Sequence, residues 1–236
     1  MNNLENGDFY FGISEDKIYI CFFEKGNDKY KNEVNFEIPD NLNNKLNFKI
    51  ILNLLRENIR KLEKKIGLFL NSGNISIKSN TYQSIPFSIK NIFDEKKLNK
   101  KIITDIIQTG IHQFQNNEKT LSIIHIIVNK YIIDDTVYKF YPNDLKFKKI
   151  ILEIEFICLD RNLVDKVKNL FNECKIKINK IVSYDYAKKF LINSKDVTMC
   201  LSAKRVLNGV NQSEVYLVES SSKKPNIFER IFNFFD

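Results

Sequence analysis

Residues 8–24 read DFYFGISEDKIYICFFE. Two apolar runs rich in aromatic and β-branched residues flank the polar turn Gly12–Lys17, a pattern that predicts a β-hairpin. NEVNFEIPD follows, and Val34, Phe36 and Ile38 alternate with polar residues, so a third strand extends the hairpin into a meander. From Asn44 to Lys65 the period changes to three and four. Phe48, Ile51, Leu52, Leu55, Ile59 and Leu62 form one apolar stripe, RKLEKK lies on the polar side, and Gly67 stops the helix. LFLNSGNISIKS then reads as a strand, a turn at Ser72–Gly73 and another strand.

Three strands, a helix and a strand open a ribonuclease-H-like, or actin-like, half-domain. A second unit follows. A short strand near SIPFSI leads to a helix lined by Leu98, Ile102, Ile103, Ile106, Ile107, Ile111 and Phe114. TLSIIHIIVNKYIID and FKKIILEIEFICL are long strands. Asp160 is placed as the N-cap of a helix carrying Leu163, Val164, Val167, Leu170, Phe171 and Cys174. KIKINKIVS reads as a strand, YDYAKKFLI as a short helix, and Met199–Leu207 as one more. The expected architecture is α+β: a partial actin-like (ribonuclease-H-like) domain with an inserted small α+β subdomain and a C-terminal amphipathic helix. Its expected boundaries are 1–84 with 177–218 for the half-domain, 85–176 for the insertion, 219–225 for a polar linker and 226–236 for the amphipathic helix.

The totals narrow the function. A net charge of +8 suits an anionic partner. No basic block is interleaved with aromatics, so no nucleic acid is expected. Ala187 and Ala203 are the only alanines, and the richness in Lys, Asn and Ile reads as compositional drift. Cys21, Cys158, Cys174 and Cys200 form no C-x-x-C pair and are expected as reduced thiols. His112 and His125 make no metal-ligand spacing with them. The acidic, polar start MNNLENGD is unlike a secretory signal. The longest apolar run, IIHIIV (123–128), is far shorter than the roughly 20 residues that span a bilayer. His125 reads as a structural histidine. Asp134 and Asp135 are adjacent, so on a strand they point to opposite faces and read as a turn or a strand end rather than an acid–base pair. The sequence therefore predicts no catalytic set, no cofactor, no metal and no enzyme.

LFLNSGNISIKS (68–79), HIIVNKYIIDD (125–135), CLDRNLVDKVKNLFNECKIKINKIV (158–182) and KKPNIFERIFNFFD (223–236) together resemble the actin-like bacterial cell-division protein FtsA. LFLNSGNISIKS is similar to the strand pair before that family's inserted subdomain. HIIVNKYIIDD, through His125, Tyr131 and Asp134, resembles its His-x-x-x-x-x-Tyr-x-x-Asp segment. CLDRNLVDKVKNLFNECKIKINKIV resembles the helix and strand closing the subdomain, and KKPNIFERIFNFFD the membrane-targeting helix. The resemblance covers about two thirds of the chain. It implies an adaptor tied to the inner face of the bacterial cytoplasmic membrane at the division septum. The implied partners are cell-division proteins, FtsZ or late divisome components, with self-association.

The departures bear on chemistry. The family holds nucleotide phosphates with an Asp-x-Gly-x-x-Lys turn. Here Gly12 stands at the Asp position and Ser14 at the Gly position. Only Lys17 matches, while Glu15 and Asp16 add negative charge where phosphates would sit. Gly209 is the only glycine after Gly110, and few residues separate Tyr186 from Ser213, so the family's second lobe is not expected between them. An actin-like ATPase whose loops have diverged or whose second lobe comes from another chain, and an actin-like pilus-assembly platform, remain the alternatives.

The last site is the tail. At 100° per residue, Ile227, Phe228, Ile231, Phe232, Phe234 and Phe235 fill an arc of about 160°. The remaining arc is polar, and Lys223 and Lys224 precede it. These eight residues are the expected contacts with an anionic membrane surface.

Overall fold

The structure, a computed structural model, describes residues 7–26, 30–38, 45–191 and 198–215. The described residues divide into two compact units, those within 7–82 and 159–210, and those within 83–158 and 211–215.

In the first unit, β1 (Gly7–Ile13) and β2 (Lys17–Glu24) pair antiparallel from Gly7↔Glu24 to Ile13↔Ile18, and β3 (Tyr30–Glu37) adds antiparallel to β2. The chain then crosses through α1 (Lys45–Ile66) to β4 (Ser72–Ile77), which lies parallel to β1. A parallel neighbour demands such a crossover, because a tight turn only joins antiparallel strands. The same rule explains α3 (Arg161–Glu173), which precedes β9 (Lys177–Ser183), itself parallel to β4. The resulting mixed sheet has the order β3-β2-β1-β4-β9.

Strand alternation sends Phe9, Phe11 and Ile13 to one face, with Ile18, Ile20, Phe22, Ile75 and Ile77 beside them. There the Phe171 ring of α3 stands edge-on to Phe11, centroids 4.6 Å apart. The opposite face carries Tyr10, Gly12, Cys21, Phe23 and Ser76. It is covered by α5 (Met199–Leu207), whose Cys200 thiol lies 3.6 Å from the Tyr10 carbonyl oxygen and whose Lys204 ammonium lies 5.0 Å from the Phe23 ring centroid. A short α4 (Tyr184–Ala187), capped by Ser183, precedes α5.

The turn expected at Ser72–Gly73 is absent, because both residues lie inside β4. Gly73 answers a packing demand instead. A Cβ there would sit 2.7 Å from the Phe11 ring, and the register against β9 slips between Gly73 and Asn74. Gly67 does stop α1, with φ +71° and its N–H donating to the Glu63 carbonyl at 2.8 Å.

The second unit contains β5 (Gln83–Lys97), α2 (Lys100–Asn117), β6 (Leu121–Ile133), β7 (Thr136–Tyr138), β8 (Lys146–Asp160, which runs on into the first unit) and β10 (Glu214–Val215). Its sheet has the order β10-β6-β8-β5, with β7 also paired to β6. Asn99 caps α2 by accepting from the Ile102 N–H at 3.0 Å. Ile103, Ile106, Ile107, Ile111 and Phe114 share one core cluster with Leu152, Ile154 and Phe156. A Cβ at Gly110 would collide with Ile89, so glycine permits the close approach of α2.

Two sequence boundaries move. The expected insertion, 85–176, included α3, yet α3 belongs to the first unit, because it is the crossover between β4 and β9 and packs Phe171 on Phe11. The expected half-domain included 211–215, yet this stretch joins the second unit as β10. The short strand near SIPFSI is also part of a 15-residue strand, β5.

Candidate functional site

In the first unit, the β1–β2 turn, the residues after β4 and the start of α3 enclose a cleft of ≈ 210 Å³. This is where the sequence resemblance places nucleotide phosphates. The turn is bonded to itself. The Ser14 N–H donates to the Lys17 carbonyl at 2.9 Å, and the Lys17 N–H donates to Ser14 Oγ at 3.0 Å. Ser14 Oγ in turn donates to Asp16 Oδ1 at 2.7 Å, which holds the Asp16 carboxyl below its ordinary range. The Lys17 ammonium faces outward to Glu37 Oε1 at 3.9 Å.

The other wall is similarly occupied. Ser79 Oγ and Thr81 Oγ1 lie 2.7 Å apart, the Thr81 N–H donates to Ser79 Oγ at 3.1 Å, and the Ser79 N–H donates to Asp185 Oδ2 at 3.3 Å. Asp160 is the N-cap of α3, as its place in the sequence predicts, and accepts from the Leu163 N–H at 2.8 Å. A carboxylate therefore stands where a helix N-terminus would otherwise draw an anion. Glu15 adds another carboxylate, and Lys78 is the one cation among the described lining residues. An anionic phosphate would meet spent donors and like charge.

Sequence reasoning read Gly12 as a lost acid and missed what replaces it. Gly12 faces α5, and a Cβ there would sit 2.8 Å from Met199 Cβ. The helix occupies the space an aspartate side chain would need. Periodicity in Met199–Leu207 signals a helix, but nothing local signals which strand it crosses.

His125 is buried with its Nδ1 2.6 Å from Glu214 Oε1, each side chain 1% exposed, so it holds β10 onto β6. Asp134 and Asp135 have φ +43° and +71° and form the two-residue turn between β6 and β7. Asp134 Oδ1 also accepts from the Lys149 N–H at 2.8 Å, and Asp135 pairs with the Lys149 ammonium. Tyr131 is buried, and burial pushes its hydroxyl up. The four cysteines are free thiols; burial pushes Cys158 up to about 12, and Cys174 and Cys200 also upward. Among the described residues there is no cluster of three His, Cys, Asp or Glu side chains to hold a metal. No helix among them is long and apolar enough to cross a membrane. Lys223, Lys224, Ile227, Phe228, Ile231, Phe232, Phe234 and Phe235 lie outside the described residues.

No family model and no curated protein matches the sequence. Solved structures do match. A chain of the PilM-PilN type IV pilus biogenesis complex is 8% identical, with a TM-score of 0.51 over 81% of this chain and 51% of that one. This chain therefore spans about half the length of that relative. The cytoplasmic domain of EpsL, an inner membrane component of the type II secretion system of Vibrio cholerae, is 8% identical over 76% of this chain and 56% of that one, with a TM-score of 0.34. A Bacteroides thetaiotaomicron protein with an actin-like ATPase fold and unknown function is 14% identical over 81% and 58%, with a TM-score of 0.31. The chain has a partial actin-like, ribonuclease-H-like α+β fold. The likeness to the pilus-complex chain shows the fold and does not show the division role that the sequence resemblance implies.

Proposed function

We propose that this protein is a non-enzymatic actin-like scaffold, tethered to a membrane by its C-terminal segment, that recruits a protein partner for a membrane-embedded assembly machine of the pilus or secretion type. The observation that carries this reading is the turn Gly12–Lys17. The actin-like framework is kept, while its phosphate position is bonded to itself, ringed by carboxylates and overlaid at Gly12 by α5. The fold likeness to a chain from a pilus complex supports the choice of partner class. Calorimetry with ATP and magnesium should show no binding and no turnover above buffer. Tight binding with turnover would instead establish a divergent ATPase. The division-adaptor reading shares the scaffold and tether and differs in its partner. Mass spectrometry of proteins retained by the chain lacking residues 226–236 separates the two. A component of a pilus or secretion machine supports the platform, and FtsZ or another division protein overturns it.

A further inference from the structure

We infer that the β6–β7 hairpin of the second unit is a second membrane contact, working together with the C-terminal segment. The inference rests on the tether reading above. Val137 is 60% exposed and Phe140 57% exposed, although both are large and apolar. Tyr138 and Tyr141 turn inward and pack against the core of the unit, so alternation along β7 sends Val137 out to water, and Phe140, two residues past the end of β7, is exposed beside it in sequence. The Lys139 ammonium lies 5.5 Å from the Phe140 ring centroid. The nearby acids are engaged: Asp134 by the Lys148 and Lys149 N–H groups, Asp135 by the Lys149 ammonium, and Asp144 by Lys97 at 2.7 Å. The hairpin thus offers two apolar side chains and a cation with its carboxylates quenched, the chemistry of an anionic lipid interface.

Placement supplies the second argument. β8 lies along one edge of β6 and reaches its end, where the Asp134 N–H donates to the Lys149 carbonyl at 3.0 Å. β10 and β7 therefore share the other edge, β10 at Ile126–Ile127 and β7 at Tyr131–Ile133. At about 3.4 Å per residue, the two attachments are roughly 15–20 Å apart. Residues 216–225 span at most about 35 Å when extended, so the expected lipid-binding segment 226–236 starts within reach of the hairpin. Two side chains are far too little for a stable protein interface, which buries about 800 Å² per partner. They suffice to reinforce a weak membrane anchor, because a linked second contact gains avidity.

The test uses the full chain and vesicles of equal parts phosphatidylcholine and phosphatidylglycerol. Val137→Ser with Phe140→Ser should weaken sedimentation with the vesicles about tenfold, the scale of 1.4 kcal/mol. Both residues are exposed, so the circular dichroism spectrum should not change. In a Cys174→Ser background, an environment-sensitive dye on Phe140→Cys should shift to the blue on these vesicles. If the double variant sediments like the wild type, or the dye stays unshifted on sedimented protein, the hairpin is not a membrane contact and this inference alone falls. If the wild type does not sediment at all, the tether reading falls and takes the hairpin with it.

Discussion

At the scale of single residues, Gly12 separates a lost acid from a repurposed site. Gly12→Asp restores the residue type that the FtsA resemblance expects, yet its Cβ would sit 2.8 Å from Met199 Cβ. Overpacking and a desolvated carboxylate together should cost roughly 3 kcal/mol of stability. Urea unfolding measures that loss, and the variant should still show no heat of ATP binding. An unchanged unfolding midpoint would mean that α5 does not rest on Gly12. The missing Asp and Gly of the turn were legible in the sequence, because a loop motif is local. The Ser14–Asp16–Lys17 bonding was half legible, since serine and aspartate favour such turns. The covering Met199 was not, because it arrives from 187 residues downstream. Nor was Glu214 as the partner of His125, because the two lie 89 residues apart in the sequence.

At the scale of elements, period carried most of the reading. The stripes of α1, α2 and α3 and the alternation of β3 and β8 announced those elements, because each buries one face. What failed was ownership and continuity. An amphipathic helix records that it covers something, not which sheet, so α3 was placed with its neighbours in sequence. A glycine in a strand reads as a break unless the side chain opposite is known. At Gly73 that side chain is Phe11. Gly73→Ala should therefore destabilise the first unit by about 1–3 kcal/mol through overpacking, although alanine has the better backbone entropy. Thermal unfolding gives the sign. A stabilised Gly73→Ala variant would show that the Phe11 ring moves aside freely.

At the scale of the molecule, the revised boundaries predict how the chain can be cut. A fragment of residues 85–176 would carry α3 without the sheet it covers, leaving the buried faces of Val164, Val167, Leu170 and Phe171 in water. It should aggregate or unfold without cooperativity. A fragment of 83–158 joined by a flexible linker to 211–215 keeps the whole core cluster with β10, and should melt in one transition. Cooperative melting of 85–176 would reverse the assignment of α3. The passage of the chain from α5 into β10 has a mechanical consequence. If the C-terminal segment is held by a membrane while the protein's partner moves, tension enters at Val215. It meets the Glu214–His125 pair and the β10–β6 hydrogen bonds before it reaches α5. The two-residue strand is then a strain relief. It yields first and lets the loaded segment lengthen, while Met199 stays seated over Gly12 and the first sheet is spared.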